Sequence, residues 1–151
     1  MSDSPIIERH LRKESVVPAT RADVWRAWTE ATELNQWFGR GANVELRAGG
    51  PYEILFLMDN APGLQGGEGN QIQSFEPHRF LAFTWNAPPQ FGLLRDVRTW
   101  VRLEFEDVSD GTRVTLIHYG WRAGDDWDAI YHYFDTAWDH VMRALTEYLS
   151  R

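Results

Sequence analysis

The stretch DDWDAIYHYFDTAWDHVMRALTEYL, residues 125–149, decides the fold, because it contains neither proline nor glycine. At about 1.5 Å per residue it would form a helix about 37 Å long. At about 100° per residue, the residues on one arc are apolar: Trp127, Ile130, Tyr131, Phe134, Trp138, Val141, Leu145, Tyr148 and Leu149. The opposite arc is polar: Asp128, His132, Asp139, Arg143 and Glu147. The pattern predicts an amphipathic helix whose aromatic face packs against a broad apolar surface, which only a sheet could provide.

The composition is that of an ordinary globular domain. The chain has 151 residues, of which 43% are hydrophobic and 25% charged, so we expect one domain over residues 1–151 with a sizeable core. The aromatic share is 14%, with eight Trp. Flat, bulky side chains suit a core with a pocket in it, although a fully packed core would contain the same residues.

Charge and cysteine content exclude several kinds of partner and site. A net charge of −7 argues against nucleic acid, whose phosphates would be repelled. The absence of cysteine excludes disulfides, thiolate metal sites and a cysteine nucleophile. No apolar run approaches the roughly 20 residues of a membrane-spanning helix, and no hydrophobic signal segment begins the chain. We therefore expect a cytoplasmic protein without nucleic-acid binding or membrane insertion.

The first part of the chain predicts one strand and two short helices. Residues 6–17 interleave apolar and charged side chains, which indicates an edge-like strand. Thr20 followed by Asp23 resembles a capping box that begins a helix. A second short helix is predicted over residues 31–38, with Gly39 as its C-terminal stop.

From residue 43 to residue 120 the hydrophobic period is two, which is typical of an antiparallel sheet covered on one side. The predicted strands cover residues 44–46, 52–58, 70–76, 80–85 and 97–106, followed by a last strand after the Asp110–Gly111 turn. Tyr52, Ile54, Phe56 and Met58 share one face in this prediction, as do Ile72 and Ser74. Residues 59–69 and 86–95 are predicted to be loops. The fold class is therefore α+β, with a curved antiparallel sheet of about six to seven strands around the long C-terminal helix.

Several segments, in this order, resemble a known family: VPATRADVWRAWT, LNQWFG, GGPYEI, PHRFLAFTW, GTRVTLIHYGW and the aromatic helix. The chain is similar to the bacterial homologues of the activator of the 90-kDa heat-shock chaperone ATPase, in the START-like (SRPBCC, polyketide cyclase-like) superfamily. The resemblance covers about residues 16–149 and implies a helix-grip fold with a hydrophobic cavity between sheet and helix. It also implies a monomer or a simple homodimer.

Superfamily members bind lipids, sterols, polyketides or other apolar molecules, and some process them. The resemblance thus favours binding of a hydrophobic small molecule, with a cyclase or dehydratase activity as the alternative. A protein-interaction role, such as that of a chaperone co-factor, through an exposed Trp100, an exposed Trp121 or the loop tip at Phe91 is a third hypothesis. The chaperone-activating proteins carry an additional N-terminal domain for which this chain has no room, so we do not expect a chaperone partner.

His118 and Asp135 are the candidate catalytic residues. Alternation directs His118 inward beside Val114 and Leu116, where an imidazole could orient a ligand carbonyl or transfer a proton near neutral pH. It could equally be a structural histidine hydrogen-bonded to backbone or a hydroxyl, with Tyr52 and Tyr131 as partners. Asp135 lies at the border of the two helix arcs and is either a pocket base of raised pKa or a solvated carboxylate.

No cofactor or metal is expected. Asp128 and His132 have the spacing of two metal ligands, but no third ligand accompanies them. The predicted pocket walls are aromatic and aliphatic residues of the helices and strands together with the inward histidine: Trp37, Phe38, Tyr52, Ile54, Phe56, Phe83, Trp85, His118, Trp127, Tyr131, Phe134 and Trp138.

Overall fold

A computed structural model describes residues 5–151, and within them the chain forms seven strands and three α-helices. In chain order these are β1 Leu11–Val17, α1 Arg21–Thr29, α2 Ala31–Trp37, β2 Gly41–Val44, β3 Tyr52–Leu55, β4 Ile72–Glu76, β5 Phe80–Trp85, β6 Thr99–Val108, β7 Gly111–Tyr119 and α3 Asp125–Leu149. A kinked 3-10 segment, Pro89–Asp96, connects β5 and β6. Every helix within residues 5–151 is too short or too polar to span a bilayer.

The strands form two antiparallel sheets. The larger has the order β1-β7-β6-β5-β4, and the smaller pairs β2 with β3. A bridge between Pro51 and Gln71 and a hydrogen bond from Tyr52 N to Asn70 O at 2.8 Å join β3 to the segment before β4. The predicted α+β helix-grip fold is therefore confirmed, with its strands divided between five-stranded and two-stranded sheets.

Helix α3 packs its aromatic face on the five-stranded sheet and begins and ends at the predicted residues. Its buried side chains are Trp127, Ile130, Phe134, Trp138, Met142 and Leu145. Each fully buried side chain of this size contributes about 1.5–3 kcal/mol by leaving water. The predicted arc was slightly rotated, because Met142 is buried whereas Val141 is half-buried.

Helices α1 and α2 cover one end of the sheet. Thr20 caps α1 as predicted, since Asp23 N donates to Thr20 Oγ1 at 3.2 Å. Trp28 of α1 packs edge-on against Trp37 and Phe38, with ring centroids 4.8 and 5.6 Å apart. These contacts place Phe38, directly after α2, beside the main core.

Some predicted boundaries are wrong. β1 begins at Leu11 instead of residue 6, and Ile6 forms only an isolated bridge to Arg122. β2 lies at residues 41–44 instead of 44–46. β3 ends at Leu55, so Phe56 and Met58 leave the sheet and are exposed.

Strand β4 and the segment after β5 also differ from the prediction. β4 is irregular between Ile72 and Ser74, which puts Ile72 in the core and Ser74 in solvent. The predicted loop over residues 86–95 includes the start of the 3-10 segment.

Candidate functional site

A cavity of about 140 Å³ lies between α3 and the end of β5. Five side chains of α3 form one wall: Tyr133, Phe134, Ala137, Trp138 and Val141. They recur at helical spacing because the apolar face of α3 extends over this end of the sheet.

The opposite wall comes from four separate segments of the chain. Phe38 follows α2 and Phe56 follows β3, while the rest belong to the loop before β4 and to the end of β5 and the residues after it: Gly66, Gly67, Trp85, Asn86, Ala87 and Pro88. Gly66 has a φ of 145°, and a Cβ there would lie 2.8 Å from Phe56 Cδ2. Only glycine fits this part of the wall.

Aromatic rings give the cavity flat sides. The ring centroids of Trp85 and Trp138 are 5.4 Å apart, and Phe38 lies 6.0 Å from Trp85 and 5.6 Å from Phe56. Phe56 and Tyr133 are 37% and 40% exposed and mark the mouth. The arrangement suits a flat apolar molecule that enters between these two rings.

Arg95 fastens the two loops that form the mouth. Its guanidinium donates to Gly63 O at 2.6 Å, Gly66 O at 2.9 Å and Ala87 O at 3.3 Å. The side chain is only 9% exposed. Because three carbonyl oxygens from both loops converge on one buried cation, Arg95 fixes the spacing between them.

Asn86 is the buried polar residue in the cavity wall. Its Nδ2 donates to Gly66 O at 3.0 Å, and its Oδ1 accepts from Asn70 Nδ2 at 2.9 Å. It is 7% exposed. The amide is therefore held in one orientation by partners on both sides.

The loop before β4 is stabilised internally by Glu68. Its carboxylate accepts hydrogen bonds from the backbone N–H groups of Gly63, Gln65 and Gly66. Burial opposes the charged form, but the backbone donors outweigh it, so the pKa of Glu68 is lowered. The loop is an ordered part of the site at neutral pH.

His118 is fully buried and hydrogen-bonded on both ring nitrogens. Trp138 Nε1 donates to Nδ1 at 2.9 Å, and Nε2 lies 2.7 Å from Thr99 Oγ1. Because the indole can only donate, Nδ1 is unprotonated and Nε2–H donates to Thr99. Burial lowers the pKa of His118 to about 3, so the imidazole is neutral at physiological pH.

The fold agrees with comparisons to known proteins. A family model described as Activator of Hsp90 ATPase homolog 1-like protein matches residues 18–150. The chain belongs to this family. No curated protein sequence matches it.

Several solved structures share the fold of this chain at low sequence identity. A protein of Mesorhizobium loti has a TM-score of 0.77 and 21% identity, with 95% of this chain and 98% of that chain covered. The Aha1 dimer of Colwellia psychrerythraea, solved in solution, has a TM-score of 0.70 and 17% identity, with 93% and 96% covered. DynU16, a protein of the dynemicin biosynthetic locus, has a TM-score of 0.68 and 19% identity, with 95% and 48% covered.

Five of the twelve predicted pocket residues line the cavity of this family member: Phe38, Phe56, Trp85, Phe134 and Trp138. The other seven do not line it: Trp37, Tyr52, Ile54, Phe83, His118, Trp127 and Tyr131. Tyr52, for example, stacks on Phe83 at 4.3 Å and donates from its hydroxyl to Trp28 O at 2.7 Å. These side chains fill the core elsewhere along the sheet. Ligand binding by any of the twelve stays a prediction.

The predicted partners of His118 are wrong. Tyr52 hydrogen-bonds Trp28, and the Tyr131 hydroxyl lies 3.4 Å from His10 O. Thr99 on β6 and Trp138 on α3 take their place. Phe134 packs edge-on against the His118 imidazole, with ring centroids 5.0 Å apart.

The other candidates have surface or structural partners. Asp135 accepts from Lys13 Nζ at 2.6 Å, and Asp139 pairs with the same ammonium at 3.0 Å. Burial disfavours the charged amine, but the two carboxylates outweigh it and raise the pKa of Lys13. Trp121 is buried and donates to His118 O at 2.9 Å, so its predicted exposure is wrong. Within residues 5–151, no cluster of three acidic or histidine residues could hold a metal.

Eight residues of the cavity wall were not predicted from the sequence: Gly66, Gly67, Asn86, Ala87, Pro88, Tyr133, Ala137 and Val141. Most of them belong to loops or to the border of the α3 arc, where hydrophobic periodicity carries no information. The glycine pair in residues 59–69 was the available signal, because it predicts close backbone approach.

Proposed function

We propose that the protein binds a small, planar, apolar molecule in the cavity between α3 and the end of β5, without catalysing a reaction on it. The observation that carries this proposal is an aromatic-walled cavity of about 140 Å³ that opens between Phe56 and Tyr133. Ligand pockets of this type are mostly apolar, with a few polar groups that orient the ligand.

The volume limits the ligand. An apolar cavity of about 150 Å³ accommodates a benzene-sized molecule. One aromatic ring therefore fits inside the cavity here, whereas a second fused ring, a sterol or a lipid chain would extend through the mouth. Among the ligand classes of the superfamily, an aromatic polyketide or a simpler aromatic compound fits best.

Non-catalytic binding is favoured over a cyclase or dehydratase because the wall, within residues 5–151, holds no carboxylate and no imidazole, and its one phenol, Tyr133, lies at the exposed mouth. His118 lies outside the wall, is neutral, and has both nitrogens occupied. Asp135 is paired with Lys13. A cyclase role would need proton transfer by a group that faces the substrate.

The oligomeric state and the cellular location are two further proposals. Homodimerisation is proposed because the Colwellia psychrerythraea relative is described as a dimer in solution, and analytical ultracentrifugation tests it. Cytoplasmic localisation is proposed from the sequence, and cell fractionation tests it.

The experiment is titration of the ¹⁵N-labelled protein with naphthalene, followed by heteronuclear NMR and calorimetry. We expect shifts of the Trp85 and Trp138 indole N–H signals and saturable binding. A titration in which no cavity signal moves, at the solubility limit of naphthalene, would refute the proposal.

A matched pair of variants on α3 supplies the control. Ala137 lines the cavity and Ala129 is exposed on the same helix. Ala137→Leu should fill the void and weaken naphthalene binding at least tenfold, whereas Ala129→Leu should bind as the wild type does. Equal affinity in both variants would show that naphthalene binds elsewhere. Turnover of any bound aromatic, detected by mass spectrometry, would favour the cyclase alternative.

A further inference from the structure

We infer that the ligand carries an oxygen, either a phenolic hydroxyl or an aryl carbonyl, that accepts a hydrogen bond from Asn86 inside the cavity. This inference rests on the proposed function and adds the chemical class and the orientation of the ligand. It follows from the hydrogen-bond capacity of Asn86 and from its buried position in the cavity wall.

The orientation of the Asn86 amide is fixed by donors whose roles are unambiguous. Arg98 Nη1 donates to Asn70 Oδ1 at 2.7 Å, and Thr84 Oγ1 donates to the same oxygen at 3.1 Å. Asn70 must therefore present its Nδ2 to Asn86 Oδ1. Asn86 Nδ2 then faces the carbonyl oxygen of Gly66, which can only accept.

This arrangement leaves part of the Asn86 amide available. A primary amide has two N–H donors and two acceptor lone pairs. Within residues 5–151, Asn86 uses one N–H for Gly66 O and one lone pair for Asn70 Nδ2. The second N–H has no partner among these residues, and a buried donor in a mostly apolar wall favours a ligand acceptor.

Three other N–H groups near the cavity are already engaged. Trp138 Nε1 donates to His118. In the mouth loop, Gly66 N donates to Glu68 Oε1 at 2.8 Å, and Gly67 N donates to Ile54 O at 2.8 Å. None of these three N–H groups is available to a ligand. The Trp85 Nε1–H is buried without a partner within residues 5–151, but it lies in the plane of an indole whose face the ligand ring would contact.

Tyr133 is the competing polar group, but it lies at the mouth. Its side chain is 40% exposed, against 7% for Asn86. Water competes for hydrogen bonds at an exposed hydroxyl, so a ligand oxygen gains more by bonding the buried amide. The ligand should therefore enter with its oxygen toward Asn86 and its ring against the faces of Trp85 and Trp138.

The test compares naphthalene with 2-naphthol, which differ by one hydroxyl group. A net hydrogen bond of ordinary strength predicts about three- to tenfold tighter binding of 2-naphthol to the wild type. The Asn86 side-chain N–H signals should move further downfield with 2-naphthol than with naphthalene, whose ring current alone shifts them. Equal affinities, or the same amide shifts with both compounds, would overturn the inference while leaving the proposed function intact. Failure of both compounds to bind would refute the proposed function itself.

Three variants locate the effect. The advantage of 2-naphthol should disappear in Asn86→Leu and persist in Tyr133→Phe and Trp85→Phe. Persistence in Asn86→Leu with loss in either of the other two would assign the hydrogen bond to Tyr133 or Trp85 and overturn the inference. Because Asn86→Leu also removes the acceptor of Asn70 Nδ2, its melting temperature is measured alongside. If that variant does not fold, the amide shifts in the wild type decide the question.

Discussion

Replacing His118 with glutamine should remove a specific acid sensitivity of folding. The imidazole is neutral in the folded protein, where burial lowers its pKa to about 3, and has a pKa of about 6.5 when unfolded. The unfolded chain therefore binds a proton more readily, and the free energy of unfolding falls as the pH falls below about 6.5. This stabilisation is complete above pH 7.5 and is lost progressively toward pH 3.

The size of the loss can be estimated at pH 5, above the range in which carboxylates dominate. The linkage relation gives about 2 kcal/mol between pH 7.5 and pH 5 from this one group. The figure depends on the unfolded pKa and changes little if the folded pKa lies anywhere below about 4. For a chain of this length it corresponds to a decrease in melting temperature of about 4–8 °C.

The assay is urea denaturation of three proteins at pH 7.5 and pH 5. His118→Gln abolishes the titration, and His132→Gln, on the exposed face of α3, is the matched control. We expect the wild type and His132→Gln to lose about 2 kcal/mol more than His118→Gln between the two pH values. Equal losses in all three proteins would mean that the imidazole at position 118 titrates as in water, which would refute its assignment as a buried neutral group.

Three further substitutions test separate parts of the structure. Thr99→Val should destabilise folding by about 1–3 kcal/mol, because it leaves the His118 Nε2–H without an acceptor; thermal melting at pH 7.5 measures this. Gly39→Ala should cost about 1–3 kcal/mol, since the added Cβ would lie 2.7 Å from Ile54 Cγ2; unchanged urea stability would contradict it. Arg95→Met should expose residues 59–69 to limited proteolysis, because the loop loses two carbonyl contacts to the guanidinium, while the proteolysis of α3 stays unchanged.

The fold was largely predictable from the sequence, because hydrophobic residues recur at a clear helical or strand period along its longest elements. Helix α3 begins and ends where an uninterrupted amphipathic pattern begins and ends. The inward position of His118 followed from strict alternation along β7, since a register error would have moved every neighbour to the other face. The short strands β2 and β3 were less predictable, because four residues contain too few periods to fix a boundary.

The cavity was only partly predictable. Periodicity identifies which face of a helix or strand is buried, but not where along that face the side chains fail to meet. Asn86 illustrates the difficulty, because its partners Asn70 and Gly66 lie 16 and 20 residues away in another loop. No local pattern brings those residues together.

Free hydrogen-bonding capacity, rather than burial, distinguishes the two polar side chains that matter here. His118 is the more deeply buried, yet a donor and an acceptor occupy both of its nitrogens, and protonation is disfavoured by desolvation. It therefore holds α3 against β6 and β7 and keeps the Trp138 indole in place as one wall of the cavity. Asn86 has partners for only half of its amide within residues 5–151. His118 fixes the aromatic wall, and Asn86 supplies a buried donor whose orientation is set by its neighbours. These are the properties of a site that orients a ligand, whereas a site that transfers protons needs a group able to change its charge.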